Sequence, residues 1–89
     1  MIMKRMGLSE ITELYPDEEI LKADGFDEAV IGYCFDGGEL RLVYSEGKCI
    51  NILMEDMSEI DSIEHFDYNV SGSYVGPKTP IWFRDYQVL

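Results

Sequence analysis

The chain has 89 residues, 46% of them hydrophobic, enough for one domain with a single core and none to spare for a second. Eighteen acidic residues against seven basic ones leave a formal net charge of −11, a field that repels nucleic-acid phosphates and anionic lipid, so direct DNA or RNA binding is excluded. No apolar run approaches the ~20 residues of a membrane span and no apolar signal core follows the basic start, so a cytoplasmic chain is expected.

In chain order, Ser9 predicts the cap of a short helical turn through Leu14, which Pro16 must end because a residue before proline is driven out of the helical region. A second turn is expected from Pro16, with Asp17, Glu18 and Glu19 at its positive end and Asp24-Gly25 as its stop. The reading is a single domain over 1–89, whose segment 1–23 carries the weakest pattern.

From Glu28 the pattern sharpens. "EAVIGYCF" is β-branched and aromatic, "DGG" is turn chemistry, and "ELRLVYS" sets Leu40, Leu42 and Tyr44 inward against Arg41 and Val43. This predicts a hairpin over 28–44 whose first strand, apolar on both faces, lies centrally.

Ser45 then precedes a helix over 46–57 with Ile50, Leu53, Met54 and Met57 in one stripe, and Ser58 caps a second over 59–69 facing inward with Ile60, Ile63, Phe66 and Val70. "PIWFRDY" reads as a final strand over 80–86, which Pro80 can open. The fold class predicted is α+β: a small antiparallel sheet of about three strands with the helix pair on one face.

The loop between the second helix and the last strand imitates a phosphate-binding pattern, with Gly72 four residues before Pro77-Lys78-Thr79. The imitation fails on chemistry. Pro77 has no N–H to offer an anion, and Pro80 with the aromatic run after it leads into a strand where a phosphate loop needs a helix N-terminus. Two readings of the loop remain. It either reverses the chain, with Asn69 left-handed at the helix end and Gly72 and Gly76 permitting turns, or it presents Tyr74, Lys78 and Thr79 as recognition residues on a proline-stiffened frame. The binding candidates are therefore Asn69, Gly72, Tyr74, Gly76, Lys78 and Thr79.

Eight acids fall between Glu10 and Glu28 with only Lys22 against them, and six between Glu55 and Asp67 with His65 as the sole opposing base. Glu55, Asp56, Glu59, Asp61 and Glu64 form the candidate acidic surface, either solvating the domain or meeting a basic site on a partner. Catalysis is not expected. Cys34 and Cys49 sit inside apolar patterns and read as reduced, buried thiols, and a nucleophile would need a base where His65 is the only histidine. The lone histidine and the lack of C-x-x-C or a calcium-loop motif predict no metal site, and no cofactor is expected.

The residues "DGFDEAVIG", "KCINILMEDMS" and "HFDYNVSGSYVGPKTPIW" are similar to a family of short, functionally uncharacterised proteins of tailed bacteriophages. The shared pattern is Asp24-Gly25-Phe26, Lys48-Cys49-Ile50 with Ile52-Leu53-Met54, and Phe66, Asn69, Gly72, Tyr74, Val75, Gly76, Thr79 and Pro80. This chain departs from it at Pro77, where an acid is more usual, and at Ser73, often alanine. The resemblance carries no activity. It implies a phage protein made in the bacterial cytoplasm, of a kind that binds host components to redirect them or to block defence.

The expected function is thus a non-enzymatic accessory protein that binds a host protein with a basic surface, inhibiting a defence or nucleic-acid-processing factor. One alternative is a nucleic-acid mimic occupying a DNA-binding cleft, which needs carboxylates in a row at phosphate-like spacing. The other is a small-ligand sequestering protein using the loop from Gly72 to Pro80. Oligomeric state is left open, a homodimer included.

Overall fold

The computed structural model describes residues 3–86. Its elements are strand β1 (Lys4–Arg5), helix α1 (Leu8–Leu14), strands β2 (Val30–Asp36) and β3 (Glu39–Ser45), helices α2 (Glu46–Leu53) and α3 (Glu59–His65), and strand β4 (Ile81–Phe83). A 3₁₀ turn at Asp27–Ala29 leads into β2, and a π-helical turn at Phe66–Val70 continues α3. The fold is α+β, a four-stranded mixed sheet in the order β1-β2-β3-β4 with three helices.

The hairpin forms as its turn chemistry predicts. Gly37 and Gly38 both take positive φ, at 61° and 84°, which is the two-residue turn whose twist matches the strands it joins. β2 is central, between β1 and β3, and a bulge at Ile31 shifts its register between Val30 and Gly32. Leu40, Leu42 and Tyr44 point into the core as expected. Val43 does not point to solvent: it is buried beside Ile81, its neighbour in β4, on the sheet face that also carries Cys34.

Two features differ from the expected three-stranded antiparallel sheet: an added strand and a parallel pairing. Lys4 and Arg5 pair antiparallel with Tyr33 and Gly32, a strand too short for any periodicity to announce it. β4 runs parallel to β3, with Tyr44 beside Trp82. The physical reason is the connection: α2, α3 and the loop carry the chain back to the starting end of β3, the crossover that parallel neighbours require. The last strand also stops at Phe83, short of the expected 80–86, because Asp85 leaves the sheet to hold the start of α2.

The helices are shorter than their patterns. Ser58 caps as predicted, and Ser45, expected only to precede its helix, caps too; they accept hydrogen bonds from the Asp61 and Lys48 amides at 3.1 Å each. α2 ends at Leu53, so its buried stripe is Cys49, Ile50 and Leu53 while Met54 faces out. α3 and the turn after it present Ile63, Phe66 and Val70 to the core as predicted, but Ile60 is 69% exposed and Ser62 is fully buried in its stead. α1 starts after Gly7, not Ser9, because the Glu10 carboxylate reaches back to accept from the Gly7 amide at 3.2 Å. No helical turn forms at Pro16; a single bond from Glu18 N–H to the Tyr15 carbonyl closes a turn there, and the chain runs on without regular structure to Asp24.

One core joins all of this. Ile11 of α1, Leu40, Leu42 and Tyr44 of β3, Cys49 and Ile50 of α2 and Phe66 after α3 form a single cluster, the apolar burial that drives the fold. Met6, Leu8, Tyr15, Ile20 and Ala23 pack against this cluster, so the segment with the weakest sequence pattern contributes to the core. Tyr15 packs edge-on to both Tyr33 and Phe35, and its hydroxyl shares a 2.9 Å hydrogen bond with that of Tyr33.

Candidate functional site

The loop after Val70 is a built structure. Thr79 is 7% exposed, and its hydroxyl accepts from the Val75 amide at 2.9 Å while donating to the Gly76 carbonyl at 2.6 Å. Gly76 takes φ of 112°, a conformation that side chains resist. Lys78 reaches across the molecule, its Nζ 3.2 Å from both Glu18 and Glu39, tying the segment after α1 to the hairpin. Bonding to Glu18, then to Glu39, raises its pKa above the ordinary lysine value, against a desolvation effect of opposite sign.

These contacts redistribute the candidate residues. Lys78 and Thr79 do not project from the loop; both are consumed by holding it. Gly72 has no positive φ, and a Cβ there would make only an ordinary contact with the Asp67 carbonyl, so no turn depends on it. Asn69 is not left-handed: it lies within the π-helical turn, its amide nitrogen 3.3 Å from His65 Nδ1. Tyr74 does project, 77% exposed, with Val75 beside it. The loop leads into β4 with no helix behind it, so it has neither the convergent amides nor the helix N-terminus of a phosphate site.

Beneath Val75 lies a groove of about 310 Å³ that the sequence did not announce. It is lined on one side by the irregular stretch from Leu21 to Phe26 and on the other by residues between Val70 and Val75, with Trp82 also part of the lining. Both walls are tethered. The Ala23 amide donates to the Tyr44 hydroxyl at 2.8 Å. The Trp82 ring packs on Tyr44 at 5.0 Å and edge-on to Phe66 at 5.4 Å between centroids. Asn69 also lines this groove, as do Asp24, Phe26, Val75 and Pro80. The only signal that could have located it was the apolar stretch around Leu21, stranded in a segment with no period.

Most of the candidate acidic surface makes no ion pair among the described residues. Glu55, Asp56, Asp61 and Glu64 are exposed and have no cationic partner among the described residues. Glu59 differs, because its carboxylate accepts a short hydrogen bond from the Tyr86 hydroxyl, which raises the phenol's pKa. Ile60 is exposed on the same helix, and Tyr68, two turns on, is 85% exposed.

The two thiols are held in their protonated form. Cys34 in β2 and Cys49 in α2 are both buried, and burial pushes both thiols up, Cys49 to about 12. Thiolate is then scarce at neutral pH, and the thiolate is the nucleophile. Among the described residues no group of three or more His, Cys, Asp or Glu is placed to hold a metal, and no helix is long and apolar enough to cross a membrane.

No protein-family model, curated protein or solved structure matches the chain.

Proposed function

We propose that this is a small, non-enzymatic accessory protein that binds a host protein with a basic surface and so inhibits a defence or nucleic-acid-processing factor. The observation that carries the reading is the unneutralised acidic face of Glu55, Asp56, Asp61 and Glu64, interrupted by the exposed apolar side chains of Ile60 and Tyr68. Carboxylates steer a basic partner toward the surface, and the apolar side chains supply the contact that survives once water is expelled. Exposed Tyr74 and Val75 extend the apolar character onto the loop. The likeness to short phage proteins supports a host-directed role in the bacterial cytoplasm. Mimicry of a nucleic-acid backbone has less support, since Glu59 is engaged by Tyr86 and leaves the row of acids on α3 incomplete.

Affinity purification from infected host cells tests the reading. The parent chain is run beside a variant carrying Glu55→Gln, Asp56→Asn, Asp61→Asn and Glu64→Gln. A host protein captured by the parent and lost from the variant is expected. Its on-rate should fall as salt shortens the Debye length from about 8 Å at physiological strength. Equal capture by both, or association indifferent to salt, would refute an electrostatically guided interface. Tyr74→Ala should weaken that complex while the melting temperature stays put.

A further inference from the structure

We propose that the groove between 21–26 and 70–75 is the anchor site for a basic peptide segment of the partner. One large apolar side chain enters the groove, and a neighbouring lysine or arginine enters an acidic notch beside it. This rests on the protein-binding reading above and names where and how the partner is held.

The notch is a second cavity, of about 180 Å³, lined by Glu19, Leu21, Glu39, Val75, Pro77 and Lys78. It shares Leu21 and Val75 with the groove, so the two lie on either side of one apolar ridge. The groove's volume of about 310 Å³ falls at the floor of the ~300–1,000 Å³ range of small-molecule sites, room for one large side chain with part of its flanking backbone. Its lining is that of an anchor pocket: Leu21, Phe26, Val70, Val75, Pro80 and Trp82 supply the apolar surface.

Charge chooses the flanking residue. Lys78 in the notch is already held by Glu18 and Glu39, and Lys22 at the groove is drawn toward Asp27 at 3.9 Å. Glu19 in the notch and Asp24 at the groove have no cationic partner among the described residues. A cation entering here meets uncompensated carboxylate, and an anion meets the same field with the wrong sign.

The site is also prepared in advance. The bond from Ala23 to Tyr44, the bond from Val75 to Thr79 and the Trp82 packing hold both walls before anything binds. Little ordering entropy is then lost on association.

The test is selection of a random heptapeptide display library on the full chain, with selected peptides then synthesised and titrated. Trp82 is the single tryptophan and lines the groove, so its emission reports occupancy. Enriched peptides are expected to pair an aromatic or large aliphatic residue with Lys or Arg and to shift Trp82 emission on binding. They should lose about tenfold or more in affinity when the anchor is replaced by alanine. Ser73→Phe, which places a bulky ring on the lining of the groove, and Glu19→Lys, which reverses the notch, should each weaken binding comparably. Thermal melting of both variants checks that they are folded.

Absence of enrichment, or equal binding by Ser73→Phe, would overturn the proposal. So would a groove that takes an apolar dye such as Nile red which no selected peptide displaces. A concentration-dependent dimer in sedimentation that Ser73→Phe abolishes would reassign the groove to a second copy of the chain. If Ser73→Phe still captures the host protein that the acid-neutralised variant loses, the groove assignment falls and the protein-binding reading stands. If the peptides behave as described but no host protein depends on the acidic face, that reading falls and the groove remains a peptide site.

Discussion

Asp85 holds the start of helix α2 from forty residues away: its Oδ2 accepts a hydrogen bond from the Ser45 hydroxyl at 2.7 Å. Its Oδ1 accepts from the Gly47 amide at 2.8 Å, and Ser45 in turn accepts from the Lys48 amide at 3.1 Å. Two of the helix's otherwise orphaned amides are thus satisfied, one by the carboxylate and one by the cap that the carboxylate orients. Asp85→Ala should cost about 1–2 kcal/mol in urea denaturation with an unchanged slope. Asp85→Asn, which keeps one acceptor, should fall between. A loss within experimental error for Asp85→Ala would mean that water caps the helix equally well.

Tyr44→Phe should remove a brace of the groove. The hydroxyl accepts from the Ala23 amide at 2.8 Å, and Tyr44 is fully buried. Without it that amide loses its partner, at a cost of about 1–2 kcal/mol. Faster hydrogen exchange at Ala23 than in the parent is the specific readout. Unaltered exchange there would show that the wall is held by other contacts.

The two loop glycines should behave differently. Gly76 holds φ of 112°, so Gly76→Val should cost roughly 1–3 kcal/mol through backbone strain. Gly72 has an ordinary backbone and room for a Cβ, and Gly72→Ala should stay within about 0.5 kcal/mol. Equal effects in paired melting curves would contradict the backbone difference.

Lys78 should contribute stability with a definite pH dependence. Its pKa is raised in the folded state, chiefly by Glu18. A raised cationic pKa means stability that is fully present below the unfolded value of about 10.4 and lost as pH rises through the folded one. The melting-temperature gap between the parent and Lys78→Met should therefore be constant at neutral pH and close in the alkaline range. A gap that widens there would reverse the sign of the linkage. Isothermal calorimetry with ATP should give no binding heat for either protein, since the loop lacks a phosphate cradle.

Most of what could be read directly from the sequence was local. The Gly37-Gly38 turn, the Ser58 cap, the end of α1 before Pro16 and the inward set of Leu40, Leu42 and Tyr44 are decided within a few residues. Residue type alone selects the turn, the cap or the face in such cases, because the competing local conformations differ by a kcal/mol or so. Net charge and its distribution, and hence the acidic faces, are likewise properties of the chain itself.

The tertiary structure decided what depends on distant partners. Which way β4 runs follows from the crossover through α2 and α3, and β1 exists only because β2 offers it an edge. Ile60 and Met54 are exposed because packing elsewhere decides how much of each apolar stripe is covered and where α2 ends, not the stripe's own period. Lys78 became a tie between Glu18 and Glu39, sixty and thirty-nine positions away, and the groove arose where an unpatterned segment is drawn onto Tyr44. Such contacts are won by closing long loops against chain entropy, and the shared core that repays that cost belongs to no single stretch of sequence.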